Sequence, residues 1–360
     1  MQQAERTYMK RSDKDKARLA VIGAGLVGKK HISVIRQSPI CRLVCIVDPD
    51  EGARQMAQDL SVNWYASVAD MCAAEEVDGA IVATPNQFHV EHGLILIDNH
   101  IPVLIEKPLA SDVTGARQLV TAAQAAGVAV LTGHHRRHNP VIQKAKQMIT
   151  DGQIGRPVSL SMTCWLMKPD DYYQADWRTK KGAGPIYINL IHDLDLARHF
   201  LGDVKQVMAM ESSATRGFEV EDTAVILLEF VNGALGTVNL SDTIVSPWSW
   251  ELSSAENPDY PNTTEHAYII GGSAGSLAVP NLSLWAAEDE PSWWQPIKQV
   301  KPVYGSADPL VRQIDQFVAV IEGREAPLVS GADGLASLVL IEAVKQAAET
   351  RKPVILDDLS

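Results

Sequence analysis

The chain is poor in cysteine. Its four, Cys41, Cys45, Cys72 and Cys164, form no CxxC pair and stand in no Cys/His spacing that suits zinc, so neither a disulfide framework nor a structural metal is expected and a reduced, cytoplasmic setting is. It also lacks long apolar runs. None approaches the roughly 20 residues that cross a bilayer, and residues 1–16, polar and mixed in charge, read as a flexible tail with no secretory h-region. A basic stripe is missing too: 32 Lys and Arg stand against 44 Asp and Glu, a formal charge of −12, which argues against nucleic acid as a partner. The one basic knot, Arg136 and Arg137 among His134, His135 and His138, is too short to change that.

What remains is ordinary globular composition, 46% hydrophobic and 21% charged over 360 residues, enough for two domains. Apolar runs at 19–22, 43–47, 79–83, 103–105 and 129–131 alternate with helical stretches such as 51–60 and 110–126. That texture predicts an α/β domain, a doubly wound parallel sheet of the Rossmann type over 17–136. Past Asn139-Pro140 the pattern changes. Helices at 141–150 and 185–201 accompany strands at 157–166, 204–212, 223–230, 234–241 and 266–270, with a hairpin signal at Val231-Asn232-Gly233. Residues 137–360 therefore read as an α+β domain with a large, mostly antiparallel sheet, closed by helices at 309–322 and 334–350. Apart from the strand at 266–270, the stretch 246–302, rich in Trp, Pro, Ser and Asn, does not disclose its detailed structure in the sequence.

Gly23-Ala24-Gly25-Leu26-Val27-Gly28 follows the first strand and opens a helix, and Asp48 ends the second strand about twenty residues on, as the dinucleotide fingerprint requires. Gly23 permits the turn, Gly25 lets backbone N–H groups of Leu26 and Val27 approach a pyrophosphate, and Gly28 allows close helix packing. Asp48 suits an adenosine ribose, and with Asp50 and Glu51 beside it and no adjacent Arg or Lys, NAD is expected over NADP. The competing role for Asp48 is to cap the following helix. Two polar clusters end later strands: Thr84-Pro85-Asn86 with His89, and Glu106-Lys107-Pro108. Carboxyl ends of parallel strands are where such sheets bind ligands, so both are expected to face the cofactor. Lys107 suits stabilisation of a developing alkoxide; on its own it reads more readily as a surface lysine.

These motifs, continued by Gly182-Ala183-Gly184, His192 and Asp195 and by the closing helix with Glu342, resemble the glucose-fructose oxidoreductase / inositol dehydrogenase / rhizopine-catabolism (Gfo/Idh/MocA) family from about residue 18 to the end. The resemblance implies a Rossmann domain, a C-terminal substrate-binding domain whose open sheet assembles homodimers or homotetramers, and NAD(P)-dependent chemistry at a secondary alcohol of a sugar, polyol or related ring. It makes His192 a general base. The family's usual aspartate one helical turn earlier is replaced by Ile188. Asn189, also a near neighbour of His192, offers hydrogen bonds to a substrate hydroxyl but no proton acceptance. The other reading of His192 is a hydrogen-bonded structural histidine.

The expected activity is hydride transfer between nicotinamide and a ring carbon bearing a hydroxyl, with Lys107 polarising the oxygen and His192 exchanging the proton. Asn189, Arg178 and Arg136 are the further candidates for substrate contact; Trp177-Arg178 reads equally as a structural pair. No metal is expected, because the arginines interleaved with His134, His135 and His138 would repel a cation. Two alternatives stay open: a cis-dihydrodiol carboxylate as substrate, received by the arginines, and a nucleotide-sensing protein that has lost catalysis.

Overall fold

The computed structural model describes residues 12 and 14–356; most of the expected tail at 1–16 lies outside them. In chain order the elements are β1 (Ala17–Ile22), α1 (Leu26–Gln37), β2 (Cys41–Val47), α2 (Glu51–Asp59), β3 (Asn63–Tyr65), α3 (Val68–Ala74), β4 (Gly79–Val82), α4 (His89–Asp98), β5 (Val103–Ile105), α5 (Val113–Ala126) and β6 (Val130–Thr132). There follow α6 (Pro140–Thr150), β7 (Pro157–Trp165), α7 (Ile191–Leu201), β8 (Val204–Ser212), β9 (Thr223–Phe230), β10 (Leu235–Ser241), α8 (Trp250–Ser253), β11 (Tyr268–Gly272), β12 (Gly275–Val279), β13 (Ser283–Ala287), β14 (Ile297–Val300), α9 (Pro309–Ile321), α10 (Gly331–Thr350) and β15 (Val354–Ile355). They form two compact units, residues 1–138 with 308–336, and residues 139–307 with 337–360. The units are discontinuous, whereas a single boundary at 136/137 assigns all of 137–360 to the second.

The first unit holds a six-stranded sheet in the order β3-β2-β1-β4-β5-β6, parallel throughout. The order reverses between β1 and β4, which puts the glycine loop after β1 at the switch point where dinucleotides bind. Its central strands are buried on both faces, β1 and β4 without an exposed residue, as crossover helices on either side require. α1 turns Gly28, His31, Ile32 and Ile35 inward. Local capping sets the other boundaries. Asp112 accepts from Gly115 N–H at the start of α5, and Gly127, at φ 65°, ends it. α9 starts on Asp308 with Pro309 in its first turn and sends Ile314, Phe317 and Val318 into the same core as Leu19, Ile46 and Ile81. The approach is close: a Cβ at Gly79 would lie 2.9 Å from Phe317.

The second unit is built on a nine-stranded mixed sheet, β14-β13-β12-β11-β7-β10-β9-β8-β15. β7 and β10 pair in parallel and the remaining neighbours antiparallel. Alternation is strict where the core is covered. Ala224, Ile226 and Leu228 of β9 join the core with residues of α6, α7 and α10, while Val225 and Leu227 between them are exposed, the period of a sheet packed on one face. The stretch 246–302 supplies α8 and β11 to β14. The expected helix 185–201 differs in its first turn. Residues 186–190 form a π-turn and the α-helix begins at Ile191, a rare geometry that is frequent at functional sites.

Candidate functional site

The candidate residues fall into two groups, one in each unit. In the first, Gly23 has φ 90° and lies so near the end of β4 that a Cβ would stand 2.7 Å from Ala83 O; any other residue would push the loop off the sheet. Gly28 has no room for a Cβ against Gly23 O. Around Gly25, by contrast, space is open, and no side chain caps the first turn of α1, where Leu26 and Val27 are exposed. That suits a pyrophosphate: helix N-terminal N–H groups that no side chain caps, beside a glycine with open space where a Cβ would stand.

Asp48 is tied to this loop. Its Oδ2 accepts from Ala24 N–H at 2.7 Å and its Oδ1 from Asp50 N–H at 2.9 Å. The cap of α2 is Asp50, which accepts from Gly52 N–H, so helix capping does not account for Asp48. Arg54, the nearest cation along α2, pairs with Glu51 and stacks over Trp64.

The clusters after β4 and β5 divide by direction. Thr84, Pro85 and Asn86 are partly or fully exposed. His89 is wholly buried, its Nδ1 2.8 Å from Pro108 O and its Nε2 2.8 Å from Thr84 O. Burial pushes its pKa below the usual histidine value, against the pull of two carbonyls and Glu106. His89 therefore braces the two loops from inside and does not face a ligand, a correction to its expected cofactor contact. Glu106 also points inward. Its Oε1 meets His31 Nε2 at 2.7 Å and its Oε2 accepts from Lys107 N–H at 3.2 Å. Gly133 makes room for it, since a Cβ there would stand 2.7 Å from Oε2. His31, with the charges of His135 and Lys107, holds the Glu106 pKa at about 2 although burial opposes ionisation. The Lys107–Pro108 peptide is cis.

Arg136 and Arg137 are buried in a short 3₁₀ turn, and Arg137 pairs with Asp333 at 3.2 Å. The carboxylate that Arg137 receives is thus internal. Among the described residues no group of three or more His, Cys, Asp or Glu side chains is placed to hold a metal ion.

In the second unit His192 lies on α7 and is 8% exposed. The helix is buried almost all round. Asp193 accepts from Tyr268 OH, which stacks on Trp250, and Asp195 accepts from Ser337 Oγ at 3.0 Å. Both carboxylates thus have internal partners. Ile188 and Asn189 belong to the π-turn, so α-helical spacing does not carry back from His192 to either. Asn189 Oδ1 is buried with no hydrogen-bond donor. Arg178 donates to Tyr172 O at 2.6 Å and lies 4.0 Å from the Tyr172 ring centre, while Trp177 is exposed.

Three groups escaped the sequence reading. His31 was signalled only as a polar residue on the buried face of α1. The cluster of Lys168, Tyr173, Arg216 and Asp242 gathers loops around one buried carboxylate, with Tyr173 OH donating to Asp242 at 2.5 Å and Arg216 Nε at 3.0 Å; burial lowers the Lys168 pKa. Glu221 and Lys345 pair beneath the π-turn. The last two groups are long-range contacts with no local pattern.

Comparison with known proteins agrees with this geometry. The profile described as an oxidoreductase family with an NAD-binding Rossmann fold matches residues 17–134, and the GFO/IDH/MocA C-terminal domain matches 142–278. Myo-inositol 2-dehydrogenase of Thermotoga maritima is 25% identical over 95% of this chain and 99% of its own. 1,5-Anhydro-D-fructose reductase of Ensifer adhaerens is 30% identical over 92% of this chain and 96% of its own. The WlbA dehydrogenase of Bordetella pertussis, solved with NADH and UDP-GlcNAcA, superposes with a TM-score of 0.74 at 26% identity, covering 94% of this chain and 98% of that one. The fold and the glycine loop define an NAD-dependent oxidoreductase. The chain belongs to the Gfo/Idh/MocA family.

Proposed function

We propose that the protein moves hydride between NAD and a ring carbon bearing a secondary hydroxyl, on a sugar or cyclitol. The observation that carries this is Lys107, the second residue after β5 at the carboxyl edge of the sheet, in a unit whose glycine loop is locked to Asp48. NAD, when bound, supplies the hydride acceptor or donor. Gly23 to Gly28 and Asp48 would hold its pyrophosphate and ribose, with Thr84, Pro85 and Asn86 lining the nicotinamide half. Lys107 lowers the cost of the alkoxide that develops on the reacting oxygen, and His192 takes the hydroxyl proton in oxidation and returns it in reduction. The buried, donorless Asn189 Oδ1 suits a substrate hydroxyl, since leaving such an acceptor unmet costs about 1–3 kcal/mol. Arg178 remains a candidate for a second substrate contact. The relatives that act on myo-inositol and on an anhydro-sugar support the substrate class. A panel of cyclitols and sugars, followed by NADH absorbance, tests the reading; NAD binding with no turnover on any member would favour the nucleotide-sensing alternative.

We also propose that copies associate through the uncovered face of the nine-stranded sheet, forming dimers or tetramers. Met208, Met210, Val225, Leu227, Leu235 and Ile269 are exposed there, an apolar surface larger than scattered single residues explain. Among the described residues no helix is long and apolar enough to cross a membrane. Cysteines without disulfide spacing suit the cytoplasm.

A further inference from the structure

The turn that carries Asn189 and leads into His192 rests on a buried charge. Glu221, the second residue before β9, has a side chain only 1% exposed. Its Oε1 accepts from Ile186 N–H, the first residue of the π-turn, at 3.0 Å. Its Oε2 accepts from Lys345 Nζ of α10 at 2.9 Å, and the same ammonium donates to Glu211 Oε2 of β8 at 2.7 Å. The next residue of the turn is tied to α10 as well, Tyr187 OH donating to Glu342 Oε1 at 3.0 Å. Gly184 completes the arrangement. A Cβ on it would fall inside the Glu221 carboxylate, so the glycine just before the turn is a requirement of the acid that sits against it.

Each part has a physical reason. A helix start leaves N–H groups without partners, and Pro185 has no N–H to offer. Ile186 is left as the donor to be met, and a carboxylate at this end also suits the helix dipole. A carboxylate that deep is costly unless a cation and hydrogen bonds compensate it, and Lys345 supplies both. The ammonium is held charged against burial by the Glu211 and Glu221 carboxylates, and its pKa is raised.

We propose that Glu221, charge-paired by Lys345, is a positioning residue that fixes the π-turn and so sets the geometry in which Asn189 and His192 meet the substrate. This rests on the reading of His192 as the proton acceptor. It extends the machinery to Glu211 on β8, Glu221 just before β9 and Lys345 on α10, none of which touches the reacting atoms.

The test is a double-mutant cycle in the full-length protein. Glu221→Ala should lower kcat about 10²-fold, the size of loss expected when a catalytic group is displaced by roughly 1 Å, and leave NAD affinity unchanged. In a His192→Ala background the same substitution should lower kcat less than threefold, because the group it positions is gone. Glu221→Gln, which keeps an acceptor for Ile186 N–H but releases Lys345, should fall between; it carries the test if the alanine variant does not fold. Lys345→Arg should retain most of the activity that Lys345→Met loses. Equal fold-losses from Glu221→Ala with and without His192 would show a general structural effect and overturn the proposal. If instead His192→Ala keeps full turnover, the function assigned to that histidine fails, and the proposal falls with it for a separately visible reason.

Discussion

His31 Nε2 lies 2.7 Å from Glu106 Oε1, so a helix that follows the glycine loop grips the acid that precedes Lys107. The link runs inside the first unit: His31 is fully buried and the Glu106 side chain 12% exposed. It couples the helix that follows the glycine loop to the residue next to Lys107, the group we propose stabilises the developing alkoxide.

The first prediction is acid sensitivity. The folded pKa of Glu106, about 2, lies below its ordinary value of 4.5, so ionisation favours the native state above pH 4.5, and this contribution is lost as pH falls towards 2. A shift of that size corresponds to a few kcal/mol, on the order of 3. Glu106→Gln should therefore melt lower than the parent at pH 7, with the gap closing as pH falls. Thermal melts across that range measure it; a gap independent of pH would separate the His31 contact from the charge of Glu106.

The cofactor preference follows from Asp48. Its carboxylate is anchored to Ala24 N–H and Asp50 N–H, and a 2′-phosphate would meet it together with Asp50 and Glu51. NAD should bind more tightly than NADP. Asp48→Ser should weaken NAD and narrow the difference. Titration by NADH and NADPH fluorescence decides this, and tighter NADPH binding to the parent would reverse it.

Lys107→Met should lower kcat by about 10²–10³, the loss typical of removing one group that stabilises developing charge, while the dissociation constant of NAD changes little. The pyrophosphate grip we propose is elsewhere, at the first turn of α1. Loss of NAD binding with turnover kept at saturation would contradict the assigned role.

For His192→Ala the expected loss is about 10²–10⁴ in oxidation rate, with the rising limb of the pH–rate profile flattened. Asn189→Ala should instead raise KM and leave the limb in place, because an amide accepts no proton. Stopped-flow rates between pH 5 and 9 separate the two.

Charges placed on the open sheet should dissociate an assembly. Met210→Glu with Leu227→Glu is expected to shift sedimentation towards a single chain, since both side chains lie on exposed positions of adjacent strands. An unchanged sedimentation coefficient equal to that of a monomer in the parent would dispose of the interface.

Much of the first unit was legible because its physics is local. Val103–Ile105 is a short apolar run in a crossover pattern and forms the expected strand, and the glycines at 23 and 28 answer to neighbours within the same βα unit or its adjoining strand. β3, three residues with Asn63 exposed, offers no periodicity to find. α4 begins inside what reads as a polar ligand cluster, which is why His89 was expected to face the cofactor although it points inward. The π-turn left no mark in composition. Ile188 was placed one turn before His192 by a spacing that a π-turn does not keep. Gly184 was visible as part of a glycine motif, but its cause is Glu221, 37 positions later, and no local pattern names that partner.

The return of residues 308–336 to the first unit limits how this protein can be shortened or recombined. A gene ending after the second unit's main stretch would leave the nucleotide-binding half without Ile314, Phe317 and Val318, which lie in its core; loss of even one buried phenylalanine typically costs about 3–5 kcal/mol. A graft of the substrate half from a relative would likewise have to exchange two separated stretches, keep α9 from the recipient, and cut α10 near Ser337. Exchange of whole halves by a single crossover is closed to this architecture, and new substrate ranges are left to arise by point substitution within the existing frame.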